Sequence, residues 1–339
     1  MYSGLIFMII LGIDTSCDDT SMALLEGKNK VLSSVVSSQA DLHSIFGGVV
    51  PEIASRRHVE LIDGIYRNAI SKAGVWPHEI DAISVTNGPG LIGSVLVGLC
   101  FAKGLAISLK KPLIGINHVE AHVMSIFLEG DVEFPFLGLV VSGGHTTIML
   151  VHEPCVYEVI GSTRDDAAGE AFDKVAKFLG IGYPGGQVIE RLSRSGKGDF
   201  VMFPRPMAEE DNLDFSFSGL KTAFINWTRK NRLTEDNLAD VLASFQEAVF
   251  DSLLRKILKA IKRFNIKRVV VGGGVAANSR LREIFREKCG DEGIHVYFPS
   301  PINCTDNAAM VAVTGYFYFE RGILSPLDMK GISRMMIKV

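Results

Sequence analysis

Two histidines four residues apart are the sharpest chemical signal in this sequence. In His118-Val-Glu-Ala-His122 the positions i and i+4 share one helix face, so both imidazoles can reach one metal ion. Spacing alone is weak, because two exposed histidines on an ordinary amphipathic helix give the same pattern. Asp306, at the start of an apolar segment, is a candidate third ligand, although it also suits a plain helix N-cap. Two histidines and a carboxylate suit Fe(II) or Zn(II).

The same histidines raise the alternative of a zinc-dependent peptidase. In that class a glutamate directly follows the first histidine and activates the metal-bound water. Here Glu120 stands two residues from each histidine, and about 100° per residue turns it to nearly the opposite side of the helix. The spacing therefore argues against Glu120 as the general base of a peptidase.

Three glycine-containing turns follow apolar, strand-like segments, at residues 12–20, 142–146 and 272–274. Backbone N–H groups in such turns can approach a phosphate closely, so three of them favour a nucleotide site. None has the spacing of a P-loop or of a dinucleotide-binding turn, which disfavours a P-loop ATPase and a Rossmann dehydrogenase. Asp173 is a candidate acceptor for ribose hydroxyls, and Asn278 either caps a helix or lies against a purine.

Alternating elements must position these residues. A strand is predicted from Met8 to Ile13, followed by a polar turn and a second strand at 21–25, and the order recurs at 135–141, 142–146 and 147–152. The two units lie about 130 residues apart and each leads into helices and strands, which is the outline of a duplicated α/β fold. Further strands are predicted at 81–86, 112–116 and 268–271, and helices at 57–73, 93–109, 166–179, 235–263, 278–288 and from Asp306 toward Arg321.

Length and composition limit the class of protein. The 339 residues suggest about two domains at roughly 150 residues each. Their 47% apolar content excludes intrinsic disorder, and a net charge of −3 gives no sign of a basic nucleic-acid-binding domain. We expect an N-terminal lobe at 1–132, a C-terminal lobe at 133–306, a helix at about 307–323 that packs back on the first lobe, and a tail at 324–339.

Cysteine usage and hydropathy indicate a cytoplasmic protein. The five cysteines are scattered without a CxxC pair, which argues against a disulfide framework and a cysteine-type zinc site. No apolar run is expected to be long enough to span a membrane. The run Leu5–Ile13 lacks a basic leader and is interpreted as a strand, with Met1–Phe7 as an optional extension.

Together these motifs resemble the bacterial TsaD family of tRNA threonylcarbamoyltransferases. The resemblance covers about residues 8–323, with the matching segments in family order: Asp14–Thr20, Asn87–Leu91, His118–His122, Val141–Thr146, Asp166–Lys174, Tyr183–Gly186, Phe217–Thr222, Gly272–Val275 with Asn278, and Cys304–Met310. One departure is visible, since the first turn commonly begins Glu-Thr-Ser in this family and here begins Asp14-Thr-Ser. Asp14 keeps the charge but reaches one methylene less far.

The resemblance implies an actin/Hsp70/sugar-kinase-like (ribonuclease H-like) α/β fold of two lobes with a cleft between them. It implies transfer of threonylcarbamoyl from threonylcarbamoyl-AMP to N6 of adenosine 37 in tRNAs that read ANN codons. One divalent ion, Fe²⁺ or Zn²⁺, would bind His118, His122 and Asp306, and no general base is assigned, His145 and Asp14 being candidates. The implied substrate-binding residues are Val140, Val141, Ser142, Gly143, Gly144, Asp173, Gly186, Glu190 and Asn278.

The resemblance also implies partners. These are tRNA, the related subunit TsaB in a heteromer, the small ATPase TsaE, and TsaC as supplier of the intermediate, with ATP or ADP as a further candidate ligand and no membrane. A metal-dependent peptidase and an ATP-dependent small-molecule kinase on the same fold are the alternatives. A sugar kinase would usually carry Asp-x-Gly in the first turn, where this chain has Asp14-Thr-Ser.

Overall fold

The computed structural model describes residues 8–335. The expected extension at residues 1–7 and the last four residues of the expected tail lie outside this range. The chain forms two compact units. One comprises the chain up to Asp41, Val49–Val132 and the chain from Asp306 onward; the other comprises Leu42–Gly48 and Glu133–Thr305.

The first unit is built on a five-stranded sheet of order β3-β2-β1-β4-β5. Its strands β1, β2, β3, β4 and β5 span Ile9–Asp14, Asp19–Glu26, Lys30–Ser38, Ala82–Gly88 and Leu113–Asn117. The helices α1, α2, α3 and α4 span Ala40–Ser44, Pro51–Ala73, Ile92–Leu109 and His118–Met124. Strands β1, β2 and β3 form antiparallel pairs, whereas β4 pairs parallel with both β1 and β5.

The second unit repeats this topology, with a sheet of order β10-β9-β6-β7-β8. Its strands β6, β7, β8, β9 and β10 span Phe136–Val141, Thr146–Glu153, Val156–Ser162, Arg268–Gly272 and His295–Tyr297. The helices α5, α6, α7, α8, α9 and α10 span Ala168–Leu179, Gly185–Ser193, Ser218–Lys230, Glu235–Phe264, Ser279–Asp291 and Pro301–Cys304. Here β6 pairs antiparallel with β7 and parallel with β9, as β1 pairs with β2 and β4.

The last helix, α11 (Ala308–Glu320), belongs to the first unit and packs directly on β1. A Cβ atom on Gly12 would lie 2.2 Å from the carbonyl oxygen of Ala308, so glycine is needed for this approach. All residues from Ala308 to Gly315 are buried, which explains why this stretch is apolar on every side. On the opposite face of β1, Leu11 and Ile13 share a core with α2 and α3.

The structure corrects two expectations about elements. The polar or interrupted strands β3 and β8 and the helix α7 were not predicted as elements, whereas a helix after Tyr183-Pro-Gly-Gly186 was expected and is α6. The helix expected at 93–109 is α3, which is about one-third buried; it is long and apolar enough to cross a membrane, contrary to the expectation that no such run exists. Its inner residues, including Leu99 and Ala102, pack in the core of the first unit, and the apolar residues Ile92 and Leu96 are exposed.

Candidate functional site

The two histidines of the first unit lie on α4, which begins directly after β5. Asn117 caps this helix, since its side-chain oxygen accepts hydrogen bonds from the backbone N–H groups of Val119 and Glu120. Every residue of α4 is buried, and His118 and His122 are 5% and 0% exposed. The alternative of two exposed histidines on an amphipathic helix is therefore wrong.

A carboxylate meets both imidazoles. Asp306 Oδ1 lies 3.2 Å from Nε2 of His122 and 3.6 Å from Nε2 of His118. One ligand atom from each residue falls within 4.8 Å of the others, as a shared ion requires. The N-cap of α11 is Asn307, whose side chain accepts from the N–H of Met310, so the alternative of Asp306 as a plain N-cap is also wrong.

The residues present fit a divalent metal ion. Both ring nitrogens of His122 are buried and have no hydrogen-bond partner among residues 8–335, although Nε2 lies close to the carboxylate of Asp306. An unsatisfied buried polar atom costs about 1–3 kcal/mol, and coordination would satisfy Nε2. Two imidazoles and one carboxylate are a donor set for Zn²⁺ or Fe²⁺ that leaves positions open.

The turn after β1 orients His118. Nδ1 of His118 lies 3.1 Å from Oγ of Ser16 and 3.4 Å from Oδ2 of Asp14. The other oxygen of Asp14 accepts from the N–H of Ser16, which fixes the turn. A partner on Nδ1 sets the tautomer of the ring, so Asp14 and Ser16 would leave Nε2 of His118 free to bind a metal.

Electrostatics in this site are dominated by burial and carboxylates. Burial opposes protonation of His118, but Asp306 and Asp14 outweigh it and raise the pKa of His118 to about 9. Burial, followed by the nearby charge of Asp306, raises the pKa of Asp19 to about 7. Burial also raises the pKa of the Cys17 thiol well above its usual value, so Cys17 is not an activated nucleophile.

Glu120 points away from the two histidines. It is 1% exposed, and its Oε2 accepts a hydrogen bond of 2.9 Å from the hydroxyl of Tyr318 on α11. Burial raises the pKa of Glu120 well above its usual value, against the lowering effect of this hydrogen bond. This agrees with the helical geometry that excluded Glu120 as a peptidase base. Nothing in the sequence singled out Tyr318.

In the second unit a cavity of about 210 Å³ brings together several residues that the family resemblance implies. Gly143, Asp173, Gly186, Glu190 and Asn278 all line it. The walls also include apolar and aromatic groups, which are Phe172, Tyr183, Pro184, Val275 and Ala277. Flat apolar walls with a few polar groups are typical of small-molecule sites.

Three polar residues of this cavity also hold its walls. Asp173 Oδ1 accepts from the N–H of Gly185, 2.7 Å away, and so binds the start of α6. Glu190 Oε1 accepts from both the N–H and the hydroxyl of Ser279. Asn278 caps α9 through the N–H of Leu281 and donates to Oε1 of Gln246, so the capping alternative for Asn278 is observed.

The segment 140–144 divides between strand and loop. Val140 and Val141 lie inside β6 with fully buried side chains. Gly143, in the loop that follows, lines the cavity. Ser142 closes the loop, since its N–H donates to the carbonyl of His145 and its hydroxyl accepts from the N–H of His145. Space is open next to the Cα atoms of Gly143 and Gly144, which leaves their backbone accessible.

Two further motifs, the Asp165-Asp166 pair and the segment that begins α7, contact each other through hydrogen bonds and ion pairs. Asp165 accepts from the N–H groups of Phe217 and Ser218 at the start of α7, and Asp166 bridges Lys174 and Lys221. Burial opposes this charge, but the two lysines outweigh it and lower the pKa of Asp166. These contacts explain the Phe-Ser-Gly-Leu-Lys segment, for which the sequence alone indicated no chemistry.

The sequence is similar to known enzymes over almost its full length. A family model described as TsaD, tRNA N6-adenosine threonylcarbamoyltransferase, matches residues 30–313. A protein of that name from Thermodesulfovibrio yellowstonii is 53% identical over 326 residues, 94% of this chain and 97% of the relative. Another from Clostridium beijerinckii is 50% identical over 323 residues, 94% of this chain and 95% of the relative.

Solved structures at low identity share the fold. Full-length HypF in its phosphate- and nucleotide-bound form matches with a TM-score of 0.64 at 16% identity, over 94% of this chain and 47% of that one. The activator of the 2-hydroxyisocaproyl-CoA dehydratase from Clostridium difficile, with bound ADPNP, matches with a TM-score of 0.53 at 14% identity, over 93% and 96%. The expected actin/Hsp70-like fold is confirmed. The chain belongs to the TsaD family of tRNA N6-adenosine threonylcarbamoyltransferases, acyltransferases that modify tRNA.

Proposed function

We propose that the chain transfers threonylcarbamoyl from threonylcarbamoyl-AMP to N6 of adenosine 37 in tRNAs that read ANN codons. The observation that carries this proposal is the convergence of His118, His122 and Asp306, the ligands implied by the family motifs, within 4.8 Å. The near-full-length similarity to named threonylcarbamoyltransferases supports it and favours it over a peptidase or a kinase.

The first unit holds the metal ion in this proposal. His118, His122 and Asp306 would hold Fe²⁺ or Zn²⁺, which would supply Lewis-acid chemistry to the substrate. Asp14 and Ser16 fix the ring of His118 through Nδ1. Because Asp14 is buried against this ring, the geometry favours an orienting role for its carboxylate over that of a general base.

The second unit holds the adenosine part of the donor. The apolar walls Phe172 and Val275 suit a purine, and Glu190 and Asp173 present carboxylates to ribose hydroxyls. The accessible backbone of Gly143 and Gly144 can donate N–H groups to the phosphate region. ATP or ADP would use the same contacts as AMP.

The reaction requires mainly that the enzyme position the two substrates. N6 of adenosine attacks the carbamoyl carbon, the bond from that carbon to the phosphate oxygen breaks, AMP leaves, and N6 loses a proton. The mixed anhydride is already activated, so orientation and stabilisation of developing charge account for the catalysis. Of the two candidate bases, His145 is half-buried at the end of the 142–145 loop and better placed to meet substrate than Asp14.

The expected partners and location are part of the proposal. TsaB would bind the first unit, where Ile92 and Leu96 expose an apolar side of α3, with the ATPase TsaE as a further partner and TsaC as supplier of the intermediate. Scattered cysteines, two of them buried in the second unit, suit a cytoplasmic location.

A reconstituted modification assay tests the function and the metal site together. The chain would be combined with TsaB, TsaE, TsaC, unmodified ANN-decoding tRNA, threonine, bicarbonate and ATP, with modified nucleosides read by mass spectrometry. His122→Ala is expected to lose its metal and at least about 100-fold of the transfer rate, because a ligand is removed. His152→Ala, which changes an exposed histidine, is the matched control and should behave as wild type.

Two outcomes would contradict the proposal. Near-normal transfer by His122→Ala would contradict the proposed metal site. No product with the wild-type chain, alongside an active component set from another bacterium, would sink the reaction itself.

A further inference from the structure

Glu120 occupies the middle of the His118-Val-Glu-Ala-His122 motif but forms no hydrogen bond with either histidine within residues 8–335. Its side chain is buried on the far side of α4, where Oε2 accepts from Tyr318 and Oε1 has no hydrogen-bond partner within residues 8–335. An apolar side chain of similar volume would be less costly to bury at this position. The carboxyl group therefore needs an explanation, and its one directional contact is with Tyr318.

This contact gives α4 a second attachment to α11. On one side of α4 the two histidines face Asp306, which lies just before the first residue of α11. On the other side Glu120 meets Tyr318, in the last turn of the same helix. A helix of 13 residues is about 20 Å long, so the two attachments lie near opposite ends of α11.

The two helices differ in length and therefore in their intrinsic stability. α11 is buried from Ala308 to Gly315 and pressed onto β1 at Gly12. α4 has only seven residues, and a helix this short has little stability of its own. Rotation of α4 about its axis would swing both imidazoles relative to Asp306, and a hydrogen bond on the opposite side resists that rotation.

We infer that Glu120 and Tyr318 are positioning residues that set the orientation of α4, so that both imidazoles reach the ion held with Asp306. The inference rests on the proposed metal site. The inference assigns no contact between Glu120 and substrate. It explains why a glutamate stands between two proposed ligands although its side chain points away from the proposed metal site.

The test compares two substitutions on α11, each of which removes one tyrosine hydroxyl group. Tyr318→Phe removes the donor to Glu120, whereas Tyr316→Phe removes a hydroxyl that interacts with Glu320 on α11 itself. The dissociation constant for Zn²⁺ would be measured by competition with a chelator, and the melting temperature of each metal-free protein would be recorded. Tyr318→Phe is expected to weaken Zn²⁺ binding about 10- to 100-fold, the range for residues that orient a ligand, and Tyr316→Phe less than about twofold.

Substitutions at Glu120 keep the test decisive if Tyr318→Phe folds poorly. Glu120→Gln keeps an acceptor for the phenol and should retain Zn²⁺ affinity within about threefold, whereas Glu120→Met fills the space without an acceptor and should weaken it as Tyr318→Phe does. A merely structural role would lower the melting temperature of the metal-free protein without changing Zn²⁺ affinity.

The possible results distinguish a failure of this inference from a failure of the proposed metal site. If the wild-type chain binds no Zn²⁺ and no Fe²⁺, the metal site fails. If the wild type binds Zn²⁺ and either Tyr318→Phe or Glu120→Met binds it within twofold of wild type, the positioning role is overturned.

Discussion

At the scale of single residues, both ring nitrogens of His118 lie close to polar side chains. Two carboxylates, from Asp14 and Asp306, lie within 3.6 Å of its ring nitrogens, and Ser16 contacts the same nitrogen as Asp14. In the proposed metal site, a metal ion and a proton would compete for this ring, because coordination requires the neutral imidazole.

Metal affinity should consequently rise with pH. Since the pKa of His118 is raised to about 9 in the metal-free protein, binding of Zn²⁺ displaces one proton below that pH, and affinity should increase about tenfold per pH unit from pH 7 toward 9. Conversely, the stability that the protonated ring gives the metal-free fold is complete below pH 6.5 and is lost as the pH rises through about 9.

Chelator competition and thermal melting between pH 6 and 9.5 measure these two trends. Because removal of Asp14 takes away one of the two attractive charges, Asp14→Asn should move both transitions to lower pH. Zn²⁺ affinity that stays constant between pH 7 and 9 would contradict the assigned pKa.

Residue types and local spacing predicted part of this site. The i, i+4 histidines are local, so the sequence alone identified them, and helical geometry correctly turned Glu120 away. Asp306, Asp173 and Asn278 were candidates from residue type and position, whereas the cavity residues Gly143, Gly186 and Glu190 came from the resemblance to a family. Tyr318 is 198 residues from Glu120, and no local pattern links two positions so far apart.

At the scale of elements, the contact between β1 and α11 determines where Asp306 stands. Gly12 meets Ala308 and Ala312, and Gly315 meets Ser84 on β4, so small residues let the helix lie close to the sheet. The helix was predicted because its apolar run is long. The strands β3 and β8 were missed, because serines interrupt the alternation of β3 and register shifts interrupt the pairing of β8.

A methyl group at Gly12 should therefore push α11 from the sheet. Gly12→Ala is expected to lower the free energy of unfolding by about 1–3 kcal/mol, as overpacking does, and to weaken Zn²⁺ binding, because Asp306 moves with the helix. Gly64→Ala, in the exposed middle of α2 with open space around it, should instead raise that free energy by about 0.5–1 kcal/mol. Urea titration measures both, and equal stability of the two variants would refute the packing argument.

At the scale of the whole molecule, two units with one topology carry different chemistry. In the first, the turn after β1 supports His118, a proposed metal ligand; in the second, the loop after β6 borders a cavity. The duplicated α/β outline followed from the sequence because the strand–turn–strand pattern occurs twice. The exposed side of α3 did not follow from the sequence, because a helix that is apolar on all sides is expected to be buried.

The exposed side of α3 should be where TsaB binds. Leu96→Asp places a charge on this surface and is expected to weaken binding of TsaB at least about tenfold, as loss of an apolar anchor does. Val156→Asp, on the exposed edge strand β8 of the second unit, is the matched control and should bind normally. Size-exclusion chromatography and calorimetry measure the complex; unchanged affinity of Leu96→Asp would place the interface elsewhere.

The return of the chain to its first unit has a consequence during translation. The second unit is nearly continuous in sequence and is complete once Thr305 has left the ribosome, while the first still lacks α11. Domains generally fold as they emerge, so here the later unit is ready before the earlier one. A nascent chain stalled before Asp306 carries two of the three proposed ligands, so metal loading at the proposed site would come at the end of synthesis.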